Sequence, residues 1–397
     1  MPSRRLLAGA AITAMLITPV FVGTANAAQR DDTPGLKAQR TCATPDKGHA
    51  SCFAEVMANS ESQKPHTTAA PGGYGPGDIQ SAYALPSSGS NGRTVAIVDA
   101  YDDPTAEQDL ATYRSQYGLP ACTTANGCFK KIDQNGGTNY PRKDAGWALE
   151  ISLDLDMVSA TCPDCHILLV EAKTASFANL GTAVDQAAAQ HPAAISNSYG
   201  GSDAPDSTYG KYYDHKGIAV TASTGDSGYQ GGSYPASSSY VTAVGGTSLS
   251  KSSNARGWTE TAWSGAGSGC SVYNTALAAA ANADTGCGKR AMADVSAVAD
   301  PNTGVAVYDS TAYQGRSGWF TVGGTSASSP IVASVFALAG DVPADGYSNA
   351  LPYGHTDKLF DVTSGSNGSC PTAQWCNARQ GWDGPTGLGT PNGTGAF

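Results

Sequence analysis

The stretch Thr321-Val-Gly-Gly-Thr-Ser-Ala-Ser-Ser-Pro-Ile-Val-Ala-Ser-Val335 sets one serine, Ser326, where a helix should begin. Gly323 and Gly324 allow a tight turn and leave room for another chain to approach. The apolar run over residues 331–338 reads as a buried helix, with Pro330 expected in its first turn. A hydroxyl placed there faces free backbone N–H groups and the positive end of the helix dipole, which favour negative charge developing near it. That is a setting for a nucleophile. The competing reading is a Ser/Thr-rich N-cap with no chemistry, and for a lone Gly-Thr-Ser it is the better one. The rest of the chain has to decide.

Working outward, the texture from Tyr74 onward is of short apolar strands alternating with helical patterns, which argues for an α/β fold with a mostly parallel central sheet flanked by helices. Thr94-Val-Ala-Ile-Val-Asp99 reads as the first core strand. Asp103 and Pro104 supply an N-cap and a first-turn proline for a helix reaching Tyr117, with Gly118 at its end. Further strands are expected over residues 166–171, 193–198, 217–223 and 240–244, the last preceded by Tyr234-Pro235. Between the first two of these, Phe177, Leu180 and Val184 share a helical face. Residues 252–302, rich in Ser, Ala and Gly, yield no assignment. Residues 28–73 are polar and end in a linker-like Thr-Thr-Ala-Ala-Pro-Gly-Gly; they read as a short N-terminal appendage and linker.

The first 27 residues carry Arg4 and Arg5, an apolar run and a small-residue Ala25-Asn-Ala27, the pattern of a cleaved signal peptide. Ser3-Arg-Arg-Leu-Leu7 also loosely matches a twin-arginine signal, which leaves the export route open. No later stretch is long and apolar enough to span a bilayer, so a secreted protein is expected. The ten cysteines suit that compartment and fall into five close pairs: Cys42/Cys52, Cys122/Cys128, Cys162/Cys165, Cys270/Cys287 and Cys370/Cys376. Five short-range disulfides are expected, and Cys162-Pro-Asp-Cys165 is read as structural because no second CxxC supports a metal. A net charge of −10 argues against nucleic acid as a partner. With charged residues only 14% of the chain, the surface is compatible with work in acid.

A serine nucleophile needs a base, and none of His49, His66, His166, His191, His215 and His355 sits in a persuasive setting. Carboxylates are the alternative. Glu150 and Asp154 lie at i and i+4 in Ala145-Gly-Trp-Ala-Leu-Glu-Ile-Ser-Leu-Asp-Leu-Asp-Met157, and on a helix they project from one face. Two carboxyls held together resist double ionisation, so the pair can take and return a proton in acid. An alternating strand with its acids on the wet side is the bland reading of the same residues. Thr221-Ala-Ser-Thr-Gly-Asp-Ser-Gly228 follows an apolar strand. Gly-Asp-Ser-Gly also occurs in chymotrypsin-like proteases, with Ser227 then the nucleophile, but that needs an all-β barrel and a histidine context absent here. Asp226 reads better as a carboxyl at the C-terminal end of a parallel strand, able when protonated to donate to an oxyanion.

Gly324-Thr-Ser-Ala-Ser-Ser-Pro330, the Glu150/Asp154 pair, Gly225-Asp-Ser-Gly228 and Ser196-Asn-Ser-Tyr-Gly200, in this chain order, together resemble the sedolisin family of serine-carboxyl peptidases, which have a subtilisin-like fold. The resemblance runs over residues 74–397, expected as the peptidase domain. It implies Ser326 as nucleophile, Glu150 as general base and acid, Asp154 as the acid orienting Glu150 and sharing its proton, and Asp226 as oxyanion donor beside the Ser326 N–H. It also implies one Ca²⁺, because Asp361-Val362 and Gly381-Trp-Asp383 resemble the family's calcium site. Carboxylates of Asp361 and Asp383 with carbonyls of Val362, Arg379 and Gly381 would be its hard oxygen ligands. The expected function is a secreted, monomeric endopeptidase acting on proteins or peptides at acid pH. Members of the family carry a large N-terminal prodomain, whereas roughly 45 residues separate the expected signal cleavage from Tyr74 here. That difference keeps a secreted non-catalytic binding protein as the alternative.

Overall fold

A computed structural model describes residues 1–2, 35–340 and 342–397, so the expected signal peptide lies outside it but for its first two residues. Three short N-terminal strands, β1 (Leu36–Arg40), β2 (Ser51–Cys52) and β3 (Glu55–Asn59), precede the alternating pattern. Then come β4 (Thr94–Ala100), α1 (Ala106–Gln116), β5 (Phe129–Asp133), α2 (Ala145–Thr161), β6 (His166–Ala172), α3 (Phe177–Ala188), β7 (Ala194–Asn197), β8 (Tyr199–Ser202), β9 (Ala219–Ser223) and β10 (Thr242–Lys251). The formerly unassigned segment supplies β11 (Trp258–Ala262) and β12 (Val295–Val298), and the chain continues through β13 (Val305–Tyr313), β14 (Arg316–Gly323) and α4 (Thr325–Ala339).

The central sheet has the order β11-β10-β9-β7-β4-β6-β5, with β12 also pairing β10. Every pairing in it is parallel except β10 with β11. Strands covered on both faces read as continuous apolar runs, and Val95–Ala100 is buried at every position. The helix α4 is buried at each residue from Thr325 to Leu338. Buried on all sides, it is a core element packed on both α2 and the sheet.

Two helix starts differ from expectation. Pro330 lies in the second turn of α4, not its first. Its ring removes the N–H that would have bonded the Ser326 carbonyl, and the Ser198 hydroxyl oxygen lies 3.3 Å from that carbonyl. The helix α1 begins at Ala106 behind Thr105, because Asp103 Oδ1 takes the Thr105 N–H and hydroxyl, both at 3.0 Å, in a local turn that ends before the helix proper.

The N-terminal residues are woven into the fold. A second sheet runs β1-β3-β14-β13, and β2 pairs antiparallel with β8. All five expected disulfides are formed. Among the described residues no helix is long and apolar enough to cross a membrane.

Candidate active site

Ser326 is the second residue of α4, behind Gly324, which caps the helix at φ +97. A side chain is excluded at Gly324 twice over: the left-handed backbone disfavours it, and a Cβ there would fall 1.8 Å from the Phe53 carbonyl oxygen and 2.7 Å from Asp226 Oδ2. Ser326 is completely buried; its hydroxyl donates to the Ser198 carbonyl at 3.1 Å and accepts the Phe53 N–H at 3.1 Å.

Glu150 and Asp154 lie on α2, which Asp144 caps by accepting the N–H groups of Gly146 and Trp147. The helical reading of this segment is therefore the one the protein adopts. Glu150 Oε2 accepts the Ala54 N–H at 2.8 Å, and Asp154 Oδ1 accepts the Ser198 hydroxyl at 2.8 Å. Each keeps one buried oxygen, Glu150 Oε1 and Asp154 Oδ2, with no hydrogen-bond partner. Burial pushes the Glu150 carboxyl far up, and the Asp154 charge adds to it, while Ser326 and the Ala54 N–H oppose the shift. The Ser326 hydroxyl thus stands within reach of Glu150, yet in this conformation its proton goes to Ser198.

Asp226 follows β9 at the C-terminal end of the parallel strands. Its Oδ1 takes both the N–H and the hydroxyl of Thr325 at 2.8 Å, and Oδ2 is left without a partner. Burial raises its carboxyl well above the ordinary range and the nearby Glu55 raises it further, against the Thr325 hydrogen bonds. Ser326, Glu150, Asp154 and Asp226 are thus brought together by two helices and one strand end, with no histidine in any of these hydrogen bonds. Ser227, the nucleophile of the discarded barrel reading, accepts a hydrogen bond from Arg40.

Two parts of the site escaped the sequence reading. Asp99, near the end of β4, is buried with both oxygens unpartnered, and after burial the Glu150 charge raises its carboxyl most. An acid inside an apolar strand was the available signal. Phe53 and Ala54, in the supposed appendage, reach the site across more than 95 residues of sequence and left no local trace.

For a metal, the loops named from the sequence bring Asp361 and Asp383 together. Asp383 is buried, and its carboxyl is pushed up to about 7 by burial, with the Asp361 charge adding to the rise. Asp361 Oδ2 takes the Gly381 N–H at 2.9 Å, and Asp383 Oδ2 takes the Arg379 N–H at 3.1 Å. The carbonyls of Val362, Arg379 and Gly381 accept none of the hydrogen bonds found among the described residues. An all-oxygen set with two carboxylates short of positive charge fits a hard cation. A different acidic cluster, Asp103, Asp109 and Asp309, is buried with one oxygen from each lying within 4.8 Å of the others.

The profile of the subtilase family (Peptidase_S8) matches residues 134–350, more than half of the chain. The chain belongs to the subtilase family. Among this subtilase's relatives, kumamolisin of Bacillus sp. (strain MN-32) is 31% identical over 376 residues, covering 85% of this chain and 65% of that protein. Sedolisin of Pseudomonas sp. (strain 101) is 26% identical over 360 residues, 80% of this chain and 60% of that protein. The chain spans less than two thirds of the length of these relatives. A solved structure of Pseudomonas sedolisin, a serine-carboxyl proteinase complexed with two molecules of pseudo-iodotyrostatin, matches it with a TM-score of 0.67 and 26% identity over 82% of this chain and 96% of that one. The sedolisin-like, subtilisin-like resemblance read from the four motifs is borne out, as is the mostly parallel α/β fold of this subtilase.

Proposed function

We propose that the protein is a secreted serine-carboxyl endopeptidase, with residues 74–397 as its peptidase domain, hydrolysing proteins or peptides at acid pH. The observation that carries this reading is the convergence of one buried serine hydroxyl at a helix start with buried carboxyls that keep unpartnered oxygens, Glu150 Oε1 and Asp226 Oδ2. Leaving such atoms buried and unpaired is unfavourable, which fits groups whose partners arrive with a substrate. Ser326 Oγ attacks the scissile carbonyl as Glu150 takes its proton. Glu150 then gives that proton to the leaving amine, and water hydrolyses the acyl-enzyme. Asp154 sits one turn from Glu150, where its charge holds the Glu150 carboxyl up and makes it a stronger base. Asp226, kept protonated by burial, donates from Oδ2 to the oxyanion together with first-turn N–H groups of α4. Purified protein is expected to cleave a denatured protein between roughly pH 3 and pH 6, where ordinary carboxyls titrate. No cleavage in that window sinks the reading and leaves a secreted sedolisin-like binding protein.

We also assign one structural Ca²⁺ to Asp361, Asp383 and the carbonyls of Val362, Arg379 and Gly381. When bound, it supplies the positive charge that the two carboxylates lack. An ion held only by the folded state stabilises it by about 2.7 kcal/mol at a hundred times its Kd. EDTA at neutral pH is therefore expected to lower Tm by about 5 °C, and Asp361→Ala to remove that sensitivity. A Tm indifferent to EDTA in the wild type contradicts the assignment.

A further inference from the structure

We propose that Asp103, Asp109 and Asp309 form a second cation site, which holds a Ca²⁺ enclosed within the fold and ties the start of α1 to β13. It is independent of the peptidase reading and of the ion assigned to Asp361 and Asp383.

The three carboxyls come from different elements: Asp103 from the loop after β4, Asp109 from the first turn of α1 and Asp309 from β13. From Val307 onward buried positions alternate along β13, so Asp309 and Thr311 share the face turned to the core. The pairing of β13 with β14 shifts register between Asp309 and Tyr313, the kind of irregularity that re-aims a side chain. Asp103 and Asp309 are 0% exposed and Asp109 is 1% exposed. One oxygen of each carboxyl lies within 4.8 Å of the other two. That spacing suits a single ion with oxygen ligands at about 2.3–2.6 Å.

Two observations separate this cluster from an acidic group whose charge is already answered. First, Asp109 Oδ1 and Asp309 Oδ2 are buried within it and accept no hydrogen bond. Second, among the described residues no Lys, Arg or His forms an ion pair with any of the three carboxyls. The nearby Lys131 ammonium pairs with Asp102 and Glu171, and gives Asp103 only a hydrogen bond to its backbone carbonyl. A bare charge in the low-dielectric interior is strongly unfavourable, so buried carboxylates are found paired or bound to metal.

The other oxygens at the cluster are hydroxyls. Thr105 Oγ1 lies 3.0 Å from Asp103 Oδ1, 2.6 Å from Asp109 Oδ2 and 3.0 Å from Thr311 Oγ1. The Ser310 hydroxyl lies 3.0 Å from Asp109 Oδ2. A hydroxyl has one proton, so Thr105 answers one carboxylate and keeps lone pairs for an ion. Carboxylates and hydroxyls without a nitrogen or sulfur donor make a hard oxygen set, the chemistry of Ca²⁺. Because its ligands are buried, the ion leaves only when the fold opens locally. EDTA added to the folded protein therefore draws the ion held by the exposed Asp361 and leaves this one in place.

The test uses the full chain, unfolded in denaturant with EDTA, refolded at neutral pH with CaCl₂ or with EDTA, and freed of loose ions by gel filtration. Bound calcium is counted by elemental mass spectrometry, and Tm is recorded on the same samples. Refolded with calcium, the wild type is expected to hold two ions, and Asp361→Ala and Asp309→Asn one each. EDTA added after folding should remove one ion from the wild type and none from Asp361→Ala. With calcium, Asp309→Asn should melt roughly 5 °C below the wild type. Refolded in EDTA it should melt no lower, since asparagine relieves the crowding of charge. Asp109→Asn should behave in the same way and serves if the first variant does not fold. Either asparagine variant holding as much calcium as the wild type, or melting lower by the same amount with and without calcium, overturns the inference. So does a wild type with a single ion that Asp361→Ala loses. A single ion that Asp309→Asn loses instead upholds this site and sinks the one at Asp361.

Discussion

Ser326→Ala is expected to lower kcat/KM for a peptide by roughly 10⁵- to 10⁶-fold, because without the nucleophile only binding and oxyanion stabilisation remain. The fold should hardly notice. The hydroxyl makes two hydrogen bonds, one from the Phe53 N–H and one to the Ser198 carbonyl. Those two groups already face each other at 3.3 Å and can pair directly when it is gone. The stability change should stay within about 1 kcal/mol, measured by denaturant unfolding of wild type and variant side by side. A variant that keeps a tenth of the activity removes Ser326 from the chemistry.

Glu150→Gln should lose nearly as much, roughly 10⁴- to 10⁶-fold, since an amide of the same shape can accept a hydrogen bond but cannot carry the serine proton. Its stability supplies an independent check. The Glu150 carboxyl is raised in the folded state, so its contribution is fully present below the ordinary glutamate value of about 4.3 and is lost as pH rises toward the raised value. Glutamine is neutral throughout. The variant should therefore match the wild type in Tm near pH 4 and exceed it increasingly above that. Equal Tm values across the range would mean that Glu150 is not held protonated by burial.

How much of this was legible in the sequence follows from how local each signal is. The carboxyl pair on α2 shows because an i, i+4 spacing inside an apolar, Asp144-capped run is a property of one segment. So does the start of α4, where two glycines precede a buried helix. Asp226 is marked by the strand before it. What stayed hidden depends on partners far away in the chain. The strands β1 and β3 are polar or short; β1 pairs with β3, and β3 gains its place by pairing with β14, more than 260 residues on. The role of Phe53 follows from that placement and from nothing in its neighbours. Pro330 lies one turn later than its sequence suggests because the start of α4 is set by Gly324 and the buried site around it, which are tertiary features. The three carboxyls Asp103, Asp109 and Asp309 meet only after β13 has packed on α1 and α2.

The pH dependence of hydrolysis by the wild type and by Asp226→Asn tests the serine-carboxyl reading most directly. Glu150 must be ionised to act as base and Asp226 protonated to donate, so the rate should rise and then fall with pH, in limbs that belong to the coupled carboxyls and not to single residues. Because burial and Glu55 raise Asp226, the falling limb should lie above the free aspartate value of about 3.9 and leave the maximum on the acid side. Asparagine keeps a donor and removes the titration, so the residual activity of Asp226→Asn, reduced roughly 10²- to 10³-fold if the donor is misplaced, should persist to higher pH than in the wild type. A wild-type maximum near about pH 8, as a neutral imidazole base would give, or an asparagine variant whose falling limb does not move, contradicts the account.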